Sequence, residues 1–231
     1  PEGKLDRQGL KNLITHVLSG GVHAIFVLGS TGEAVALSEK EKKLVIQIAV
    51  EYIDGKVPVL AGISDTDLSK IKEKASFCCK MGVDAVVLHL PYYFPLTDEE
   101  IFRFFKIVAE FIQPPILLYN IPSMTKLSIP VEKIVKLSRE KNIIGIKDSS
   151  GDMSYFQEIL NNVANSGFLT FVGREILLAE AVLLGANGAV AGGANVAPRL
   201  FVDAYEAAAS GNLEKVKENQ KKIMDFSQLY T

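Results

Sequence analysis

The segment VEKIVKLSREKNIIGIK, residues 131–147, decides the fold class of this chain. Residues 131–139 carry apolar side chains at spacings of three and four, which is typical of a helix with one buried face. Residues 143–146 form a short and fully apolar run, which is typical of a strand covered on both faces. A helix that leads directly into a buried strand is the repeating unit of an α/β protein.

The same unit recurs along the whole chain. Six more apolar runs are strand candidates: residues 24–28, 57–61, 85–90, 116–119, 168–172 and 188–191. Three more segments have clear helical spacing: residues 38–52, 67–81 and 98–111. This alternation predicts a parallel sheet covered by helices, either a doubly wound open sheet or a closed (β/α)8 barrel. The periodicity fits both architectures.

The composition indicates one domain, residues 1–231. The chain is 48% hydrophobic and 23% charged, which is enough to build one sizeable core. Its formal net charge of −2 provides no basic surface for a nucleic acid backbone. The three histidines, His16, His23 and His89, are scattered, so a histidine-rich metal site is not expected.

The sequence also gives an expectation about location. No apolar run approaches the ~20 residues of a membrane span, and the polar start at Pro1 differs from a secretory signal. Cys78 and Cys79 are adjacent in a helical pattern, and we interpret them as reduced core thiols. We therefore expect a cytoplasmic protein with no membrane partner.

Lys147 ends the apolar run 143–146 and precedes the polar run DSSGD, residues 148–152. A buried ammonium is unfavourable and tends to lose its proton, which leaves an amine able to attack a carbonyl carbon. The alternative is a lysine that leans outward and pairs with Asp148, which is commoner for an isolated lysine at a strand end. Schiff-base chemistry is therefore a hypothesis that other residues have to support.

Polar residues follow four other predicted strands, at the end where a barrel carries its catalytic groups. They are Gly29, Ser30, Thr31, Gly32 and Glu33; Pro91, Tyr92 and Tyr93; Tyr119 and Asn120; and Gly173 and Arg174. Ser30 and Thr31 offer hydroxyls and amides to a carboxylate, and the Tyr119 phenol could relay protons through Ser30. Taken singly, these are more often a strand-to-helix turn and a core tyrosine. Glu33 more simply complements a helix dipole.

Four motifs occur in an order that resembles a known enzyme family. GSTGE (29–33), PYY (91–93), YNIP (119–122) and GIKD (145–148) match the order found in the dihydrodipicolinate synthase/N-acetylneuraminate lyase family. The similarity runs from about Leu5 to the end of the chain. These proteins are class I pyruvate-dependent aldolases with a (β/α)8 TIM-barrel fold. The resemblance favours the Schiff-base role of Lys147 over an outward ion pair with Asp148. It also favours the closed barrel over the open sheet.

The resemblance also implies roles for individual residues. The implied catalytic residues are Lys147, Tyr119, Ser30 and Tyr93, and the implied substrate-binding residues are Ser30, Thr31, Val190 and Gly173. By resemblance, Lys147 forms the Schiff base with pyruvate or another 2-oxo acid, and Tyr119 transfers the proton. Ser30 and Thr31 would hold the carboxylate. Tyr93 would reach the site of a neighbouring subunit, which implies a homo-oligomer built as a dimer of dimers, the homotetramer usual in the family.

Departures from the family pattern bear on the substrate. We expect a carbon–carbon lyase that cleaves or forms a 4-hydroxy-2-oxo acid, with pyruvate and an aldehyde as partners and with no metal or organic cofactor. Synthases of the family usually place an arginine for the aldehyde's carboxylate where this chain has Met124, and Lys126 is a less precise substitute. Ser30 stands where the synthases more often have threonine. An aldolase or lyase is therefore preferred; the alternative is 4-hydroxy-tetrahydrodipicolinate synthase, which condenses pyruvate with aspartate semialdehyde.

Further expectations concern completeness and the class of protein. Seven strand candidates against the family's eight imply a barrel that lacks its first strand and the C-terminal extra helices, with residues 212–231 the start of a helical extension. An alternative of another class is a non-catalytic 2-oxo-acid-binding protein. The glycine-rich run GAVAGG (188–193) leaves a weak phosphate- or dinucleotide-binding alternative, although it lacks the spacing of a dinucleotide fingerprint.

Overall fold

The computed structural model describes residues 5–164 and 166–229. This part of the chain contains seven strands: β1 (Ile25–Val27), β2 (Val59–Gly62), β3 (Ala85–His89), β4 (Ile116–Asn120), β5 (Ile143–Asp148), β6 (Leu169–Val172) and β7 (Gly188–Ala189). All neighbouring strands pair in parallel, in sequence order from β1 to β7. A doubly wound sheet reverses its strand order at a switch point, so this order excludes that alternative. The predicted polar start at Pro1 lies outside the described residues.

Helices precede, connect and follow the strands. They are α1 (Arg7–Ser19), α2 (Glu39–Ile53), α3 (Leu68–Met81), α4 (Asp98–Phe111), α5 (Pro122–Thr125), α6 (Val131–Leu137), α7 (Met153–Val163), α8 (Leu178–Leu183), α9 (Pro198–Ala209) and α10 (Leu213–Ser227). Short 3-10 turns cover Ala34–Ala36, Glu175–Leu177 and Gly192–Asn195. Helix α10 packs against α9 and lies where the start of a C-terminal extension was predicted.

The sheet is curled into most of a barrel. The amine of Lys147 on β5 lies 5.3 Å from the centre of the Phe26 ring on β1. Four strand spacings of about 4.8 Å would hold these strands ~19 Å apart in a flat sheet. Val87, Leu117 and Ile121 share an interior cluster with Phe26. The predicted (β/α)8 barrel is thereby confirmed, and residues 5–164 and 166–229 supply seven of its strands.

Local hydrogen bonds explain where two of the connecting helices begin. The Ser38 hydroxyl accepts from the amide of Glu41 at 3.3 Å, and the amide of Ser38 donates to the Glu41 carboxylate at 2.9 Å. Thr97 and Glu100 form the same reciprocal pair at the start of α4. These capping boxes satisfy amides that have no partner within the helix.

The main core lies between the sheet and the helices, where Ile71, Phe105 and Ile134 are completely buried. Cys78 joins this core, but Cys79 is exposed, so the prediction of two core thiols is wrong for Cys79. Adjacent helical residues point about 100° apart, and only one of the two can face the sheet. None of the helices in residues 5–164 and 166–229 has the length and apolar character to cross a membrane.

Candidate active site

Tyr119 and Lys147 are direct neighbours at the carboxyl end of the sheet. The register pairs Tyr119 on β4 with Lys147 on β5, and it pairs His89 on β3 with Tyr119. Side chains of paired residues point to the same face of a sheet, here into the barrel. The structure therefore brings together the two residues to which the sequence assigned the chemistry, and it adds His89 beside them.

Lys147 is buried in an aromatic environment. Its amine lies 4.1 Å from the centre of the Tyr119 ring, and the residue is 7% exposed. Burial lowers the pKa of this amine, because the charged form loses its hydration. Lys147 does not lean outward to pair with Asp148. The Asp148 carboxylate lies behind the strand and accepts hydrogen bonds from Asn120 and Ser150.

The hydroxyl of Tyr119 faces the first loop. It lies 3.5 Å from the hydroxyl of Ser30, the residue through which a proton relay was predicted. The Tyr119 ring meets the rings of Phe26 and His89 edge to face. Burial lowers the pKa of His89, whose Nδ1 lies 2.7 Å from the carbonyl oxygen of Leu90. An uncharged, well-packed wall thus fixes the orientation of the phenol.

Ser30 and Thr31 are both exposed at the barrel mouth. A methyl group on Gly192, after β7, would lie 3.1 Å from the Thr31 hydroxyl, so the first and last loops of the sheet approach each other there. Glu33 adopts a left-handed conformation before the 3-10 turn Ala34–Ala36. The role of Glu33 at a helix dipole is not fulfilled, because one short turn has little dipole.

Gly173 lies against Lys147. A methyl group added to Gly173 would be 3.0 Å from Cε of Lys147 and 1.9 Å from the hydroxyl of Ser149. The amide of Gly173 donates to the carbonyl oxygen of Asp148 at 2.6 Å. Val190 continues β7, and its amide donates to the carbonyl oxygen of Val172 at 2.9 Å. Gly173 therefore follows the strand that pairs with β5, and Val190 follows β7, the next strand along the sheet.

Within one chain, Tyr93 does not lie at the site around Lys147. It is 76% exposed, and its ring packs edge to face on Phe94, which is also exposed. The preceding residue, Tyr92, lines the large cavity instead. A role for Tyr93 in another subunit's site stays a prediction.

Two cavities meet at Phe26. The larger, about 570 Å³, is lined by Ser30, His89, Tyr119 and Met124, among others, and reaches Lys42 of α2 and Lys74 of α3. The smaller, about 220 Å³, lies between the edge strands β1 and β7 and has Val190 in its wall. The amine of Lys147 lies over the ring of Phe26, which lines both cavities, and over the ring of Tyr119, which lines the larger one. Among the described residues, no cluster of His, Cys, Asp and Glu has the arrangement of a metal site.

Sequence reasoning missed Glu175. One carboxylate oxygen of Glu175 accepts from the amide of Gly193 at 2.7 Å, while the other is buried without a partner. Burial raises the pKa of this carboxyl. Glu175 also lies 4.0 Å from a methyl group built on Gly192, which touches Thr31. The position of Glu175 two residues after Gly173 was the available signal.

Comparison with known proteins gives consistent results. A profile of the Dihydrodipicolinate synthetase family matches residues 1–231. The 4-hydroxy-tetrahydrodipicolinate synthase of Pseudomonas putida W619 is 37% identical over 96% of this chain and 76% of its own length. The dihydrodipicolinate synthase structure of Bacteroides thetaiotaomicron is 40% identical, with a TM-score of 0.93 over 97% of this chain and 76% of that chain. The Escherichia coli K12 prophage protein YagE, solved in complex with pyruvate, is 30% identical, with a TM-score of 0.94 over 99% of this chain and 78% of that one.

Proposed function

The chain belongs to the dihydrodipicolinate synthetase family of pyruvate-dependent lyases, and from this premise we propose that it is a Schiff-base aldolase acting through Lys147. The proposed reaction cleaves or forms a 4-hydroxy-2-oxo acid, with pyruvate and an aldehyde on the other side of the equilibrium. The observation that carries the proposal is the buried amine over the Tyr119 ring, because burial favours the neutral form that attacks a ketone.

The first half of the reaction forms the covalent intermediate. The neutral amine of Lys147 attacks C2 of the 2-oxo acid, and loss of water from the carbinolamine gives an iminium. Tyr119 donates a proton to the departing hydroxyl. It is then reprotonated through Ser30, whose hydroxyl is 3.5 Å away. The hydroxyls of Ser30 and Thr31 hold the carboxylate of the bound acid.

The second half of the reaction breaks or forms a carbon–carbon bond. In the cleavage direction, a base removes the proton of the 4-hydroxyl, the C3–C4 bond breaks, and its electron pair moves into the iminium to give an enamine plus a free aldehyde. Protonation of the enamine at C3 and hydrolysis of the imine release pyruvate and restore Lys147. In the synthetic direction, the enamine attacks the aldehyde. Tyr119, paired in register with Lys147, carries the proton in both directions.

A second candidate is 4-hydroxy-tetrahydrodipicolinate synthase, which adds pyruvate to aspartate semialdehyde. The names of the curated relatives favour it, since the P. putida protein and a 34% identical Methanopyrus kandleri protein both carry this name. The large cavity favours the first candidate. Met124 lines it, is 64% exposed and offers no charge to a substrate carboxylate. The lysines in the same wall, Lys42 and Lys74, are already paired with Glu39 and Asp65.

We further propose that the protein acts as a cytoplasmic homo-oligomer, a dimer of dimers. Support for assembly comes from Tyr92, Tyr93 and Phe94, three consecutive aromatic residues that are 51%, 76% and 72% exposed. Such a concentration of exposed aromatic surface is typical of a protein interface. Tyr93 would then complete the site of the partner subunit.

The test is borohydride trapping followed by intact-mass measurement. We expect pyruvate and borohydride to add one reduced pyruvyl group to the wild type and none to Lys147→Met. Lys133→Met is the matched control: Lys133 is also a buried lysine, but its amine is paired with Glu99 at 2.8 Å. It should retain the adduct. No adduct on folded wild type would overturn the proposal.

Aldehydes then separate the remaining candidates. Turnover of pyruvate with uncharged hydroxyaldehydes supports the aldolase, whereas turnover confined to aspartate semialdehyde supports the synthase. Adduct formation with no turnover of any aldehyde favours the non-catalytic 2-oxo-acid-binding protein.

A further inference from the structure

A buried polar pair lies directly behind the reactive pair. Asn120 follows Tyr119 and Asp148 follows Lys147, so their side chains point to the opposite face of the sheet. Asn120 and Asp148 are each 1% exposed. The amide nitrogen of Asn120 donates to the carboxylate of Asp148 at 2.8 Å, across the two strands.

Every polar atom of this pair has a partner. The Asn120 side-chain oxygen accepts from the amide of Ile129 at 3.0 Å, and its nitrogen also approaches the hydroxyl of Ser128 at 3.4 Å. Asp148 accepts from the amide and the hydroxyl of Ser150 at 3.1 and 2.8 Å. Buried polar networks that are fully satisfied hold their members in one arrangement. The pair therefore ties the end of β4 to the end of β5 and to the loops that follow both strands.

The register of these strands needs such a restraint. Ile116 pairs with Ile143, but Leu117 pairs with Gly145, so β5 contains one extra residue near its start. Without that extra residue, Tyr119 would lie opposite Ile146, and Lys147 would lie opposite Asn120. A slip of one residue also turns a side chain to the other face of the sheet. The start of the ladder thus does not determine which residue faces Tyr119.

We propose that Asn120 and Asp148 are positioning residues, whose cross-strand hydrogen bond fixes the register that places the Lys147 amine over the Tyr119 ring. The backbone reinforces this register, since the amide of Ser149 donates to the carbonyl oxygen of Asn120 at 2.8 Å. Neither side chain lines the large cavity. Their effect on the reaction passes through Lys147 and Tyr119, and the proposal rests on the Schiff-base function proposed above.

Three variants test the pair. Asn120→Asp places two carboxylates face to face, which breaks the bond when both are ionised, so the rates are compared at alkaline pH. Asp148→Asn keeps an oxygen toward Asn120, so the bond survives. The double variant Asn120→Asp/Asp148→Asn reverses donor and acceptor and restores the bond. The readout is the rate of pyruvyl adduct formation at saturating pyruvate, measured by quenching with borohydride at successive times, together with the pyruvate concentration that gives half the maximal rate.

We expect Asn120→Asp to lower the saturated rate by about 100-fold, the scale of a misplacement near 1 Å. Asp148→Asn and the double variant should stay within about tenfold of wild type. The control Asn142→Asp removes the side-chain nitrogen that donates to the carbonyls of Ala109 and Ile112 at the opposite end of β5. It should reduce the melting temperature but leave the rate of the folded protein within about threefold.

The outcomes separate this proposal from the function on which it rests. A wild type without adduct overturns both. A labelled wild type with an Asn120→Asp variant that is folded and labelled equally fast overturns the positioning role alone. So does a folded double variant that remains as slow as Asn120→Asp, because a purely structural defect, unlike a broken hydrogen bond, is not repaired by reversing the pair.

Discussion

Gly173 approaches Lys147 so closely that a methyl group on Gly173 would lie 3.0 Å from Cε of the lysine. The same methyl group would lie 1.9 Å from the hydroxyl of Ser149, which is too short for any non-bonded contact. The only residue that fits between β5 and the loop after β6 without moving the lysine is therefore glycine.

Gly173→Ala should slow formation of the pyruvyl adduct by about 10- to 100-fold, because the lysine side chain has to shift. Ser149→Ala should keep the wild-type rate within about threefold. The double variant Gly173→Ala/Ser149→Ala removes the hydroxyl clash but leaves the contact with Lys147, so we expect only partial recovery. Timed borohydride quenching measures all three rates. Full recovery in the double variant would show that Ser149, and not Lys147, transmits the effect.

The lowered pKa of Lys147 predicts a pH dependence. Adduct formation should rise with pH to a plateau, with a midpoint below the ordinary pKa of lysine, because only the neutral amine attacks. Initial rates of trapping at fixed pyruvate, measured across pH 5 to about 10, give this midpoint. A midpoint at or above that of a free lysine would contradict a desolvated amine.

The same shift predicts an effect on stability. The pKa of Lys147 is lower in the folded state than in the unfolded chain, so the unfolded state binds more protons between the two values, and stability rises with pH in that window. Lys147→Met removes the unfavourable burial of charge. We expect a melting temperature above that of wild type at neutral pH, by about 2–4 °C for each ~1 kcal/mol relieved. The difference should shrink as the pH approaches the unfolded-state pKa.

Glu175 predicts a separate effect on pyruvate binding. Its carboxylate holds the amide of Gly193 at 2.7 Å, next to the contact between Gly192 and Thr31. Glu175→Ala should loosen this loop and raise the pyruvate concentration for half-maximal labelling by about tenfold, with a smaller change in the saturated rate. Glu175→Gln keeps an oxygen for the Gly193 amide and should stay near wild type. Equal half-maximal concentrations for all three proteins would rule out the loop contact as a determinant of binding.

The fold and the reactive pair were accessible from the sequence for a physical reason. Buried parallel strands are short apolar runs, and residues such as Tyr119 and Lys147 that end such runs must lie at one edge of the sheet. The family, the barrel and the lyase class are confirmed. The individual roles of Tyr119, Ser30 and Thr31 remain predictions.

Other features could not be read from local patterns. The extra residue near the start of β5 depends on pairing with β4, so the sequence does not reveal that Lys147, rather than Ile146, faces Tyr119. Glu175 gains its environment from Gly193, a residue in another loop. Cys79 was misplaced because a helical pattern defines a face only to within one neighbouring residue.

Met124 makes the choice of aldehyde testable by gain of function. This side chain lines the large cavity with Ser30 and Tyr119 and is 64% exposed, so a longer side chain has room to extend. Met124→Arg adds a planar guanidinium that can bind a carboxylate through two hydrogen bonds. We expect turnover of aspartate semialdehyde to rise about tenfold relative to an uncharged hydroxyaldehyde of similar length, since one such contact contributes ~1.5–3 kcal/mol before ordering of the side chain is subtracted. Met124→Leu should leave the ratio unchanged. A wild type that already prefers aspartate semialdehyde, with no further gain in Met124→Arg, would favour the synthase and show that another group binds the substrate's carboxylate.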